Sequence, residues 1–185
     1  MIHTLPIPTP FAVGRVNCLL IEDDPLTLVD TGPNSGKSLA ELEDGLREHG
    51  HKVEDLERIV ITHQHNDHLG LVGVLADRSG AEVCALDHLA PVIEGFGSHA
   101  EANDELAEAL MLRHGIPRDV VTALRAVSRA FRGWGGSAPV DTQLHDGVSW
   151  GSPGARFRCS TGPGTRRRTR SSSTRRPATC WAATT

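Results

Sequence analysis

The sequence predicts an α/β fold, and three observations carry that prediction. Two short aliphatic runs stand close together near the start, a row of helix-spaced leucines follows, and a third aliphatic run comes next. Strands alternating with helices open an α/β domain. At 185 residues the chain is long enough for one compact domain with a core,. Aromatics make up 4% and Tyr is absent, so Val, Leu, Ile and Ala must fill the interior.

Val16 to Ile21 and Leu26 to Val29 are β-branched and aliphatic, and Glu22-Asp23-Asp24-Pro25 between them reads as the turn of a hairpin,. Asp30-Thr31-Gly32-Pro33-Asn34 is a turn cluster,. From Ser38 to His49 the leucines at 39, 42 and 46 share one helical face,. Leu56 to Thr62 is a buried strand centred on Ile59-Val60-Ile61, and Leu69 to Asp77 is an apolar helical stretch. Ala81 to Leu86 is the next strand. Ala100 to Phe131 reads as two helices broken at Gly115-Ile116-Pro117, with Leu106, Leu110 and Ile116 on the apolar face of the first, an insert able to act as a lid. Gly133-Trp134-Gly135-Gly136 ends it, and short strand-like pieces follow between Asp141 and Phe157.

No apolar run reaches the roughly 20 residues of a membrane helix, and Met1 to Pro6 has neither a basic nor an apolar leader segment, so a cytoplasmic protein is expected,. Cys18, Cys84, Cys159 and Cys180 show no paired spacing and read as buried thiols,. The net charge of −4 hides an asymmetry: six of the 19 basic residues, all Arg, follow Cys159, where there is no acid. Residues 1–158 are therefore read as the folded domain and 159–185 as an Arg/Ser-rich tail without periodicity,. The tail is not read as a nucleic-acid arm, and a small-molecule substrate is the expected partner.

The densest chemistry lies in Thr62-His63-Gln64-His65-Asn66-Asp67-His68-Leu69-Gly70. Neutral imidazoles and a carboxylate are preferred zinc ligands, and iron or manganese accept the same set. His63 and His65, two apart on an extended segment, can grip one ion. Asp67 and His68 can turn toward a second position as the loop enters the helix, and Gly70 removes a side chain where the backbone passes close. A metal there would draw the pKa of bound water toward neutrality and supply hydroxide as nucleophile. Three histidines and an aspartate within six positions, after a buried strand and before an apolar helix, point to metal binding.

From about Asn17 to about Gly164 the chain resembles the metallo-β-lactamase superfamily, whose signature is H-x-H-x-D-H after a strand. Leu28-Val29-Asp30-Thr31-Gly32 matches the segment before that family's first helix. The resemblance implies an αββα sandwich, a site for two metal ions and hydrolysis of an ester, thioester or lactone, with a glyoxalase II-like thioesterase as one member class. It further implies that His63 and His65 hold the first metal, that Asp67 and His68 hold the second, that Asp67 positions the attacking water, and that Asp30 supports the site from behind. Taken by itself, Asp30 would read as a turn residue. Flavodiiron redox enzymes are similar, but they usually carry a Glu where this chain has Gln64 and Asn66.

The chain departs from the family afterwards. The P-G-H histidine, the bridging aspartate of a G-D segment and a last histidine are absent, and no histidine or acid follows Asp146. Read with each codon boundary one base earlier, Pro163-Gly164-Thr165 permits Pro-Gly-His, and Trp181 to Thr184 permits Gly-Gly-Asp. That predicts a single-base frameshift near Arg158, and it leaves a non-catalytic or degenerate member as the rival reading of this chain.

Overall fold

In this computed structural model, residues 1–147 are described, with the backbone alone of strands 149–152 and 155–158. The tail expected at 159–185, with Cys159 and Cys180, lies outside the described residues. A six-stranded sheet in the order β1 to β6 organises the chain: β1 (Ile2–Pro8), β2 (Arg15–Ile21), β3 (Thr27–Val29), β4 (Arg58–Ile61), β5 (Glu82–Leu86) and β6 (Thr142–Leu144). The pairs β1–β2 and β2–β3 are antiparallel, whereas β3 to β6 run parallel. A separate antiparallel hairpin joins β7 (Ser149–Ser152) to β8 (Ala155–Arg158).

Past a polar first residue, β3, β4 and β5 are wholly apolar, as expected where both sheet faces are covered,. Leu28, Ile59, Val60, Ile61, Ala85 and Leu86 are 0% exposed. On β1 burial alternates instead, with Leu5 and Ile7 inward. This strand holds Pro6 and Pro8, which an edge strand tolerates because one side of it makes no ladder,.

Helix α1 (Gly36–Glu48) joins β3 to β4. Ser35 caps it, its side chain accepting from the Ser38 amide at 3.0 Å,. Leu42 and Leu46 turn inward at 0% exposure, which contributes about 1.5–3 kcal/mol each,; Leu39 is partly buried. The apolar stretch after β4 forms two helices rather than one, α2 (Asn66–Leu69) and α3 (Val72–Ser79). Leu75 of α3 is fully buried, and Gly80, at φ 71°, ends the helix,. Cys18 and Cys84 are buried free thiols; burial pushes the Cys84 thiol up to about 12,.

The insert between β5 and β6 consists of α4 (Ala90–Glu94), α5 (Phe96–Arg113) and α6 (Arg118–Arg132). Leu106, Leu110 and Ile116, read from the sequence as one apolar face, are 60%, 44% and 39% exposed, and α5 buries none of its residues. Charges hold the two long helices together instead. Arg125 bonds Glu101 and Glu108, Arg132 bonds Glu101 and Asp104, and Ser128 donates to Asp104 at 2.7 Å. Among the described residues, no helix is long and apolar enough to cross a membrane.

Candidate metal centre

Parallel α/β sheets present ligand sites at the carboxyl ends of their strands. Here the end of β3 supplies Asp30, and the end of β4 supplies the loop from Thr62 to His68. Asp30 has φ 60°, a left-handed conformation that costs a non-glycine residue energy,. Its backbone N–H donates to the Val60 carbonyl at 2.9 Å, and its side chain is 7% exposed. That carboxylate accepts from the Thr62 amide at 2.9 Å, from the Thr62 hydroxyl at 2.7 Å and from His68 Nδ1 at 2.8 Å.

These bonds select the tautomers. An ionised carboxylate only accepts, so the Thr62 hydroxyl spends its proton on Asp30 and must accept from His63 Nδ1, 2.8 Å away,. His63 therefore carries its proton on Nδ1 and leaves Nε2 with a free lone pair. His68 likewise donates from Nδ1 to Asp30, so its Nε2 is free when the ring is neutral,. Burial, then the neighbouring His68 charge, lower the His63 pKa to about 4, so that ring is neutral near pH 7. For His68 burial acts downward, but the hydrogen bond and charge of Asp30, with the charge of Asp67, raise its pKa.

His63, His65, Asp67 and His68 are neighbours in the loop, but among the described residues the ligand atoms that converge belong to His63, His68 and Asp30, which the sequence reading had given a supporting role. The ring centroids of His63 lie 4.0 Å from His68 and 4.7 Å from His65, and Asp67 Oδ2 is 3.9 Å from His68 Nε2. Two ligands of one zinc ion, each at about 2.0–2.1 Å, stand about 2.9–3.4 Å apart at octahedral to tetrahedral angles, so Asp67 and His68 would have to close slightly around an ion. The side chains of Asp30, His63 and His68 each place one ligand atom within 4.8 Å of the others.

The threonine contacts beneath the loop were not legible in the sequence, whereas the close backbone approach at Gly70 was. The Thr31 amide and hydroxyl both donate to the His68 carbonyl, at 2.7 and 2.9 Å, and the Leu71 amide donates back to the Thr31 hydroxyl at 3.1 Å. Gly70 is fixed by close approach, because a Cβ there would overlap the backbone of Asn34 and Trp134,. Gly32 is required twice over, by φ 81° and by Ile7 lying where a Cβ would stand. Thr62 drew no role from the sequence, although a hydroxyl one residue before the first histidine was the available signal.

The insert reaches this loop at one end. Asn66 Nδ2 donates to the Phe131 carbonyl at 2.8 Å, and Phe11 packs edge-on against Phe131 and Trp134. Gln64, Asn66, Phe96, His99, Phe131 and Arg132 line a cavity of about 240 Å³ between loop and insert.

Known proteins resemble this chain in sequence and in fold. Over 125 residues the chain is 34% identical to the probable metallo-hydrolase YqjP of Bacillus subtilis, covering 68% of this chain and 39% of that protein. A shorter stretch of 58 residues is 48% identical to the exodeoxyribonuclease WalJ of Streptococcus pneumoniae, covering 31% of this chain and 20% of that one. The crystal structure of the metallo-beta-lactamase family protein TTHA1429 from Thermus thermophilus superposes with a TM-score of 0.69 at 30% identity, over 88% of this chain and 52% of that chain. The chain thus spans about half, or less, of the length of these relatives. Residues 12–155 match the metallo-beta-lactamase superfamily, and with the fold and the loop in place the chain belongs to that family.

Proposed function

We propose that this chain is built as a zinc-dependent hydrolase of small-molecule esters, thioesters or lactones. His63 and His65 would hold one ion, Asp67 and His68 a second, and Asp67 would orient the attacking water. The observation that carries the reading is the pair of imidazoles whose Nδ1 atoms are tied off by Thr62 and Asp30, leaving both Nε2 lone pairs for a cation. A divalent ion bound there supplies Lewis acidity toward the scissile carbonyl and acidifies water. Asp30, buried with its oxygens committed to Thr62 and His68, acts as the support that orients ligands,. The cavity beside Gln64 and Phe96 has room for a small acyl group,.

Metal analysis of the purified chain, run beside hydrolysis assays on a thioester, a lactone and an activated phosphodiester, tests this. Zinc content with turnover of the thioester or lactone, both lost in H63A/H68A, supports the proposal. Turnover of the phosphodiester alone would move the substrate class to nucleic-acid-like esters. A second reading, a non-catalytic member that holds one ion or none, is favoured by the convergence, among the described residues, of one ligand group, Asp30, His63 and His68. Bound metal without turnover on any substrate decides for it.

A further inference from the structure

A second histidine cluster lies at the opposite end of the sheet from the metal loop. Antiparallel pairing sets Ile21 beside Thr27, so the end of β2 meets the start of β3, and Glu22 follows there directly. His3 enters from β1, whose register pairs it with Leu20. His51 enters from the turn after α1, which the Leu46 carbonyl fixes by accepting from the amides of His49 and His51. Three chain segments thus bring imidazoles to one carboxylate: His3 Nε2 lies 2.7 Å from Glu22 Oε2, and His51 Nε2 lies 3.2 Å from Glu22 Oε1. His49 stacks on His3, with ring centroids 3.8 Å apart and planes inclined by 27°.

We propose that His3, Glu22 and His51 form a second, separate site for a divalent transition-metal ion of the zinc, cobalt or nickel type. Two imidazoles with one carboxylate are a recurrent ligand set for these metals. Ligands held at about 2.0–2.1 Å from one ion are separated by about 2.9–3.4 Å at octahedral to tetrahedral angles. The His51 separation falls in that range and the His3 separation just below it, but no choice of one ligand atom from each residue brings all three within 4.8 Å of one another, so an ion must draw the two imidazoles together. The nitrogens now face different oxygens of the carboxylate, and His51, 27% exposed on its turn, has room to swing its ring toward His3. With neutral rings the cluster carries one negative charge, which a dication reverses while replacing the two N–H···O bonds. Stacking by His49 fixes the plane of the His3 ring, so less freedom is lost on binding. The ion would tie β1 and β2 to the end of α1, far from the catalytic loop and without any part in its chemistry.

The full chain carrying H63A/H65A/H68A isolates this site from the loop. Titrated with Ni²⁺ and with Zn²⁺ in a calorimeter, it is expected to take up one ion per chain, with affinity weakened at least tenfold by E22Q and again by H3A/H51A. Thermal unfolding should rise by about 5 °C at a hundredfold excess over Kd. Absence of binding up to millimolar ion, or binding untouched by both variants, overturns the proposal. Should the loop variant fail to fold, equilibrium dialysis of the otherwise unaltered chain decides: H3A/H51A lowers bound Ni²⁺ by one equivalent, and an unchanged count overturns the site.

Discussion

The metal loop and the helical insert meet at Asn66 and Phe131, yet they are stabilised by opposite means. Around the loop, polar groups are buried and matched: Asp30, Thr31 and the His68 carbonyl exchange hydrogen bonds under cover of fully buried Leu69, Leu71 and Val72. In the insert the charged side chains face each other across α5 and α6, while Leu106, Leu110, Leu124 and Val127 point to solvent. Even there the match is incomplete, since the Nε atoms of Arg125 and Arg132 are buried without an acceptor. The site is therefore specified by the core, whereas the wall beside it rests on ion pairs whose attraction salt weakens.

The largest effect should come from breaking the buried side of this contrast. Asp30→Ala leaves the Thr62 amide and His68 Nδ1 without their acceptor, so a loss of about 2–4 kcal/mol in urea unfolding is expected,. Zinc affinity should fall about 10- to 100-fold with it; a variant as stable as the parent would remove Asp30 from the centre of the cradle. Gly70→Ala comes next, at about 2 kcal/mol or more, because the added methyl meets backbone on two sides and neither side can yield cheaply,. Thermal unfolding checks it.

Acidity offers a test confined to the loop. Ligation needs His68 neutral at Nε2, and Asp30 stabilises its protonated form, so zinc affinity should climb as pH rises through the raised pKa of His68,. In His68→Ala that slope should flatten. His63, already neutral above about pH 4, adds nothing to it. The same linkage gives the metal-free chain a contribution from His68 that is complete below its unfolded pKa and disappears as pH rises through the folded value.

The smallest effects belong to the insert. Leu124→Ser, at a position 49% exposed, should change stability by no more than about 0.5 kcal/mol,. Raising NaCl from low concentration to about 1 M, where screening reaches about 3 Å, should speed amide exchange in α5 and α6 and leave β4 and β5 unchanged. Equal changes in both regions would erase the distinction between them.

How much could be read beforehand follows the same division. Ile59-Val60-Ile61 announced a strand covered on both faces, and the histidine loop announced a cluster of imidazoles, because each signal is contained in neighbouring residues. β1 escaped notice: its two prolines argue against a strand until an edge position is known. The Thr31 and Thr62 contacts join residues some 30 to 40 positions apart, which periodicity does not encode. For α5 the leucine spacing was read correctly as one face of a helix, but spacing does not say what that face looks toward.

The attachment of the insert has a consequence for how such a protein can change. Its helices leave from β5 and return to β6, strands that already pair with each other; Ile93 of α4 lies in the core, while α5 meets the core through Phe96 at its start. Beyond Phe96 the sequence of α5 can thus change without disturbing the strands that aim the histidines. Such changes would remodel the wall of the cavity beside Gln64 and leave the strand ends as they are.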